Sequence, residues 1–325
     1  MNDYKKLGFS KEIYYEFPNI INLEVYRGKC PCLCTHCPVG RLQPDQRKEY
    51  FTESWVSKEL LEKIIFEMKK YSHSTIRLHS VGEPILWPEL IPAIKFISKN
   101  QVKSWIFTSL VTEKKEILEA LCLYCSIIEV SVNDTVAHEY LKNKGIDAFE
   151  KVIENIRYMA NFIENNHLKT RLIVSRVESE NLKEDEKFIS YWKQTGLVAD
   201  AFVRKYHNYN NILETKAEKQ AQKVPCLVHW MRFNIACDGR VVVCFNELFK
   251  KIVSEEIILG NIYEETIYDI WHSNLYNKIR TAELSEYRSE KFFSKDFPCR
   301  NCFSCQSYDG KRETSEHQIE LLESN

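Results

Sequence analysis

Between residues 20 and 204 the chain alternates short β-rich runs with longer helical patterns, and no other feature restricts its fold as much. The β-rich runs are INLEVY (21–26), STIRLH (74–79), VKSWIF (102–107), IIEVSV (127–132), TRLIVS (170–175) and ADAFVR (199–204). Between them, SKELLEKIIFEMKKY (57–71), PELIPAIKFISKN (88–100), EKKEILEALCLY (113–124), AFEKVIENIRYMANFIENN (148–166) and DEKFISYWKQTG (185–196) repeat apolar residues with the period of an amphipathic helix. Ser57 is placed to cap the first of these, with Glu59 in its first turn. Strands separated by helices pair in parallel, because parallel neighbours need a crossover. The expectation is an α/β fold, either an open (βα)6 barrel or a doubly wound sheet. In both, chemistry belongs at the carboxyl ends of the strands.

The pattern changes after about residue 212. ETKAEKQAQKV (214–224) is polar and reads as a linker or a solvated helix. MRFNIACDGRVVVCFNE (231–247) reads as a β-hairpin, because Asp238-Gly239 is a tight-turn signal between two β-rich arms. One helix is expected over roughly 265–281, followed by a cysteine-rich segment and a polar tail. The expected divisions are an extension over 1–19, the strand–helix domain over 20–212, a small α+β cysteine-rich domain over 213–308, and a tail over 309–325.

The sequence has 12 cysteines, and their meaning depends on the compartment. The N-terminus shows no apolar signal segment, and no run approaches the ~18 apolar residues of a spanning helix. Lys and Arg number 45 against 46 Asp and Glu, so no charge excess attracts nucleic acid or a membrane. A cytoplasmic protein with no nucleic-acid or membrane partner is expected. There thiols stay reduced, and clustered cysteines read as metal ligands.

Four of them crowd YRGKCPCLCTHCPVG (26–40), directly after the first strand. Cys30, Cys34 and Cys37 make C-x3-C-x2-C, with Cys32 between the first two. Three thiolates suit an iron–sulfur cluster and leave one iron open to a ligand, as an open position does in catalytic metal sites. The competing reading is a zinc site with Cys32 as fourth ligand.

This spacing after a first strand resembles the signature of the radical S-adenosylmethionine (SAM) superfamily. The resemblance implies a partial (βα)6 TIM-like barrel, a [4Fe–4S] cluster on Cys30, Cys34 and Cys37, SAM on the open iron, and Cys32 as a non-ligand. HSVGEPILWPEL (79–90) is similar to the family's Gly-Gly-Glu-Pro motif, with Val81 in place of the first glycine. On that likeness Gly82, Glu83 and Pro84 are SAM-binding, Gly82 by close backbone approach and Glu83 by its carboxylate. Ser109 lies where the family has a polar turn after the third strand. Ser131 and Asn133 end the fourth strand, either as ligands of the SAM ribose or carboxylate or as helix caps. Arg176 ends the fifth, either as a partner of the SAM carboxylate or in an ion pair.

The C-terminal cysteines are Cys226, Cys237, Cys244, Cys299, Cys302 and Cys305. Gly239-x4-Cys244, the stretch ILGNIYEETIYDIWHS (258–273) and PCRNCFSC (298–305) resemble SPASM domains and their reduced twitch form. The resemblance implies one auxiliary [4Fe–4S] cluster on Cys226, Cys244, Cys299 and Cys302, with Cys305 able to replace either member of the last pair; a zinc ribbon is the competitor. Cys122 and Cys125 are read as buried apolar residues. Cys237 is left over, either packed or, as in radical SAM epimerases, a thiol that returns a hydrogen atom.

The sixth strand ends in VRKYHNYN (203–210), and the resemblance to twitch-type dehydrogenases implies that Arg204 or His207 there orients or deprotonates a substrate alcohol. The expected activity is reductive cleavage of SAM and abstraction of a substrate hydrogen, with electrons from a flavodoxin or ferredoxin. The expected substrate is a small polar molecule of aminocyclitol, sugar or nucleoside type, dehydrogenated or epimerised. The short stretch before the first strand disfavours the alternative of a ribosomally made peptide. A third alternative is a non-catalytic iron–sulfur or zinc scaffold.

Overall fold

The protein is described from a computed structural model that covers residues 16–50, 52–179, 181–204, 206, 209, 212–213, 226–250, 252–284, 294 and 297–300. The elements run β1 (Ile20–Arg27), α1 (Pro44–Tyr50), β2 (Ser54–Trp55), α2 (Lys58–Met68), β3 (Thr75–Val81), α3 (Leu90–Lys99), β4 (Lys103–Thr108), α4 (Lys115–Tyr124), β5 (Ile127–Ser131), α5 (Ala137–Lys144), α6 (Phe149–Asn165), β6 (Arg171–Val177), α7 (Leu182–Thr195) and β7 (Asp200–Arg204). Then follow α8 (Leu227–Met231), β8 (Arg232–Ile235), β9 (Arg240–Val242), β10 (Ile258–Asn261), α9 (Ile267–Trp271) and α10 (Asn274–Leu284). The chain divides into two compact units.

The first unit comprises Glu24–Lys58 and Ile76–Tyr206. Its strands lie in the order β1-β3-β4-β5-β6-β7, with β4 to β7 in parallel register, as Glu129↔Ile173 and Ser175↔Phe202 show. The helices cover this sheet because their apolar stripes require it. In α6 Phe149, Val152, Ile153, Ile156 and Met159 are all buried, the spacing of a single helical face. The expected strand–helix alternation is present throughout, and the architecture is the open barrel type of α/β fold. Two helices of this unit were not expected, α1 and α5; α5 buries only Tyr140 and Lys144 and has a weak apolar face.

The second unit comprises Met1–Leu23, Glu59–Thr75 and His207–Asn325. Here β8 and β9 form the expected antiparallel hairpin, β10 pairs with β9, and β8 pairs in parallel with Ile20–Leu23 of β1. Asn22 and Asn234 hydrogen bond across that last pair, buried, at 2.9 Å. The single helix expected over 265–281 is two. α9 ends at Trp271, and Ser273 Oγ then accepts the Tyr276 N–H and starts α10. A serine that caps a new helix competes with continuation of the old one. The polar stretch 214–224 lies outside the described residues. Among the described residues no helix is long and apolar enough to cross a membrane.

Candidate active site

The cysteine loop leaves β1 and is held by backbone from two sides. On one side the Gly28 N–H donates to Val81 O at 3.2 Å, and the Glu83 N–H donates to Lys29 O at 3.0 Å. Gly82 between them has φ +148°, and a Cβ there would stand 2.6 Å from the Gly28 carbonyl oxygen. The glycine is needed because two backbone segments touch; what it approaches is the loop itself. On the other side Leu33 N–H donates to Lys144 O (2.7 Å) and Thr35 N–H to Asn143 O (3.0 Å). These carbonyls are the unsatisfied end of α5. Gly145, at φ +64°, closes that helix, and a Cβ on it would lie 2.5 Å from Leu33 Cβ.

Cys30, Cys34 and Cys37 are half-buried in this loop, whereas Cys32 is buried. The Cys32 thiol lies in hydrogen-bonding contact with Cys30 and Cys34, and the Cys30 bond pushes it up to about 12. Its contact with Cys32, then burial, pushes Cys34 up to about 12, and burial pushes Cys37 up to about 11.

Facing them is Lys144, only 2% exposed, a residue the sequence reading missed. Its Nζ donates to Ser131 Oγ at 2.9 Å. Burial alone would lower its ammonium, but Cys34, Cys32, Cys30 and Glu83 outweigh burial and raise it. Nothing in AHEYLKNK says that its last lysine turns inward. That depends on α5 docking beside the cysteine loop.

The strand-end residues form a connected polar layer. Glu83 accepts from Ser109 N (2.9 Å), Ile85 N (3.3 Å) and the hydroxyls of Thr108 and Ser109. Pro84 opens a short 3-10 turn there and is buried. Ser131 also accepts from Asn133 Nδ2 (3.2 Å), and Asn133 Oδ1 accepts the Val177 N–H (2.8 Å), tying the ends of β5 and β6 together. Arg176 pairs with Asp185 at 3.3 Å, donates to Glu184 O and lies over Phe188. Of its two alternatives, the ion pair is the one these contacts form.

Below this layer Glu129 is fully buried on β5. Arg204 Nε donates to it at 2.8 Å and Nη2 at 2.5 Å, Ser175 Oγ donates at 2.6 Å and Arg77 Nη2 at 3.4 Å. Burial would raise the Glu129 carboxyl, but Arg204 and Arg77 outweigh it and hold it below the ordinary range. Arg204 is therefore engaged by a carboxylate, and its guanidinium also lies over Phe202 and Phe107. His79 stacks on the same Phe107 ring. Arg77, His79, Phe107, Glu129, Ser175 and Arg204 share one face of the sheet, which pattern reading of single strands did not assemble. His207 lies outside the described residues.

In the second unit, Cys226 precedes α8 and Cys244 precedes a 3-10 turn over Phe245–Phe249; both are half-buried. Cys237, also half-buried, sits in the Ala236–Gly239 turn. Ligand atoms of Cys226, His229 and Glu283 lie within 4.8 Å of one another, and Cys299 Sγ lies 3.6 Å from His229 Nε2. Cys302 and Cys305 lie outside the described residues. His229 and Glu283 escaped the sequence reading, which looked for cysteine alone. Cys122 and Cys125 are buried, and burial pushes both thiols up to about 12, as expected of packed residues.

Residues 226–306 match the family model of SPASM, an iron–sulfur cluster-binding domain. No curated protein matches the chain. Among solved structures, Streptococcus suis SuiB bound to the precursor peptide SuiA is similar with a TM-score of 0.63 at 13% identity, over 93% of this chain and 72% of that one. The structure of anSMEcpe with bound AdoMet is similar with a TM-score of 0.60 at 13% identity, over 94% and 98%. BtrN in complex with AdoMet and 2-DOIA follows at 0.49 and 16%, over 90% and 94%. The chain has the fold of radical SAM enzymes, with a SPASM iron–sulfur domain at its C-terminal end.

Proposed function

We propose that the chain is a radical SAM enzyme. A [4Fe–4S] cluster on Cys30, Cys34 and Cys37 would supply reductive cleavage of SAM to a deoxyadenosyl radical, which takes a hydrogen atom from the substrate. The observation that carries this reading is Lys144. A buried ammonium is costly unless an anion meets it; its hydrogen-bond partner among the described residues is the Ser131 hydroxyl, and Glu83 and the cysteines act on it through space. Lying against the cysteine loop, it suits the negative charge of thiolate-bound iron and the carboxylate of SAM. Glu83 holds its carboxylate in place through Thr108, Ser109 and Ile85, and Ser131 and Asn133 continue the polar rim. The four-thiolate auxiliary site on Cys226, Cys244, Cys299 and Cys302 or Cys305 would close a second cluster. Electrons would come from a flavodoxin or ferredoxin.

The substrate proposed is a small polar molecule, dehydrogenated or epimerised at a hydroxylated carbon. His79, Ser175 and Arg204 on the inner face support it, since hydroxyl groups need such partners. His79, Arg204 or His207 would orient or deprotonate the alcohol, and Cys237 would return a hydrogen atom in an inversion. A peptide substrate is the second reading, favoured by the likeness to SuiB bound to a precursor peptide.

The test is anaerobic. The protein is reconstituted with iron and sulfide, given SAM and dithionite, and assayed for deoxyadenosine. Deoxyadenosine from the native protein and none from a Cys30/Cys34/Cys37→Ala variant is the expected result. Intact clusters without SAM cleavage, or zinc in place of iron, would leave the scaffold alternative.

A further inference from the structure

Cysteines alone suffice to hold an iron–sulfur cluster, yet His229 lies 1% exposed among those of the second unit. A buried imidazole must have its nitrogens met, and here each faces an acceptor. Nδ1 lies 3.1 Å from Glu283 Oε1, and Nε2 lies 3.6 Å from Cys299 Sγ. The other Glu283 oxygen accepts the Cys226 N–H at 3.0 Å. One carboxylate therefore pairs by charge with the histidine, though the Nδ1···Oε1 contact lacks the alignment of a hydrogen bond, and accepts the backbone N–H of the first cysteine of the set. The backbone is fixed as well: His229 N–H donates to Cys226 O (3.1 Å), and Arg280 Nε donates to His229 O (2.9 Å). Arg280 is itself buried, spread over Trp271 and Tyr276. The ring is buried with its backbone held on both sides, and its outer nitrogen faces a sulfur.

We propose that His229, anchored by Glu283, donates an N–H···S hydrogen bond to the Cys299 thiolate of the auxiliary cluster and raises its reduction potential. This rests on the auxiliary-cluster reading above. Hydrogen bonds to cluster sulfurs are one of the levers that set such potentials, because they stabilise the added electron. His229 is thus a positioning residue that acts through Cys299, not a ligand.

The experiment uses the full chain carrying Cys30/Cys34/Cys37→Ala, so that the auxiliary cluster alone contributes to the spectra. This protein, and the same protein with His229→Leu or His229→Gln, is reconstituted with iron and sulfide, and the cluster is titrated by EPR against potential. The expected result is about four irons in each. His229→Leu should lower the midpoint, with a reduced-to-oxidised ratio roughly tenfold smaller at fixed potential, about 59 mV for one electron. His229→Gln, whose amide still donates, should fall between. Pulsed EPR of the histidine form should show weak 14N coupling through the hydrogen bond. Strong coupling from directly bound nitrogen would overturn the proposal. So would full iron content with an unchanged midpoint, or loss of the cluster from His229→Leu and His229→Gln alike. If the histidine form itself binds no iron, the auxiliary-cluster reading fails, and this proposal with it.

Discussion

Glu129 is a carboxylate on which three donor side chains depend: Arg77, Ser175 and Arg204. Glu129→Gln would remove the carboxylate charge that the Arg77 and Arg204 guanidinium groups share. We expect a loss of about 3–5 kcal/mol, the cost of breaking a buried ion pair from one side, read from the urea midpoint. The same group sets an acid dependence. Its folded carboxyl lies below the ordinary value of 4.5, so its contribution is fully present above that pH and is lost as pH falls through the folded value. Urea midpoints measured from pH 7 down to pH 3 should fall, and Glu129→Gln should flatten the fall below pH 4.5. Lys144 makes a different prediction, one tied to the proposed ligand. Lys144→Met should weaken SAM binding about 10- to 100-fold, as loss of a charge-assisted hydrogen bond of ~1.5–3 kcal/mol implies. Anaerobic equilibrium dialysis checks this, and unchanged affinity would remove Lys144 from the site.

At the scale of elements, α5 matters beyond its length. Its last two carbonyls hold Leu33 and Thr35, and Gly145 lets the loop come close. Gly145→Val would put a β-branched side chain into a left-handed position already crowded by Leu33. Iron loading at the N-terminal cysteines should drop, while the C-terminal site keeps its iron; equal loading at both would show that the loop holds itself. The helix was not legible in the sequence because its buried face consists of Tyr140 and a lysine. A hydrophobic period cannot reveal a helix whose work is polar. The opposite error, one helix where α9 and α10 stand, has a local cause in Ser273: the apolar period runs on through a cap.

At the scale of the molecule, the two cysteine sets fall in different compact units, with Cys30 to Cys37 in one and Cys226 to Cys299 in the other. Their metal contents should separate. The Cys30/Cys34/Cys37→Ala variant should keep about four of about eight irons, measured by iron and sulfide analysis; loss of all iron would mean that the sites form together. Much of this plan was determined by sequence alone. The strand–helix alternation, the C-x3-C-x2-C loop after β1, the hairpin at Asp238-Gly239 and the C-terminal cysteines are local patterns, each set by neighbours within a few residues. What only the tertiary structure decided is which distant polar groups meet. Glu129 finds Arg77, Ser175 and Arg204 from three other strands, Lys144 turns toward the cysteines, and His229 lies between Glu283 and Cys299. Burial of charge is affordable only where partners converge, and convergence is a property of packing that no stretch of chain carries by itself.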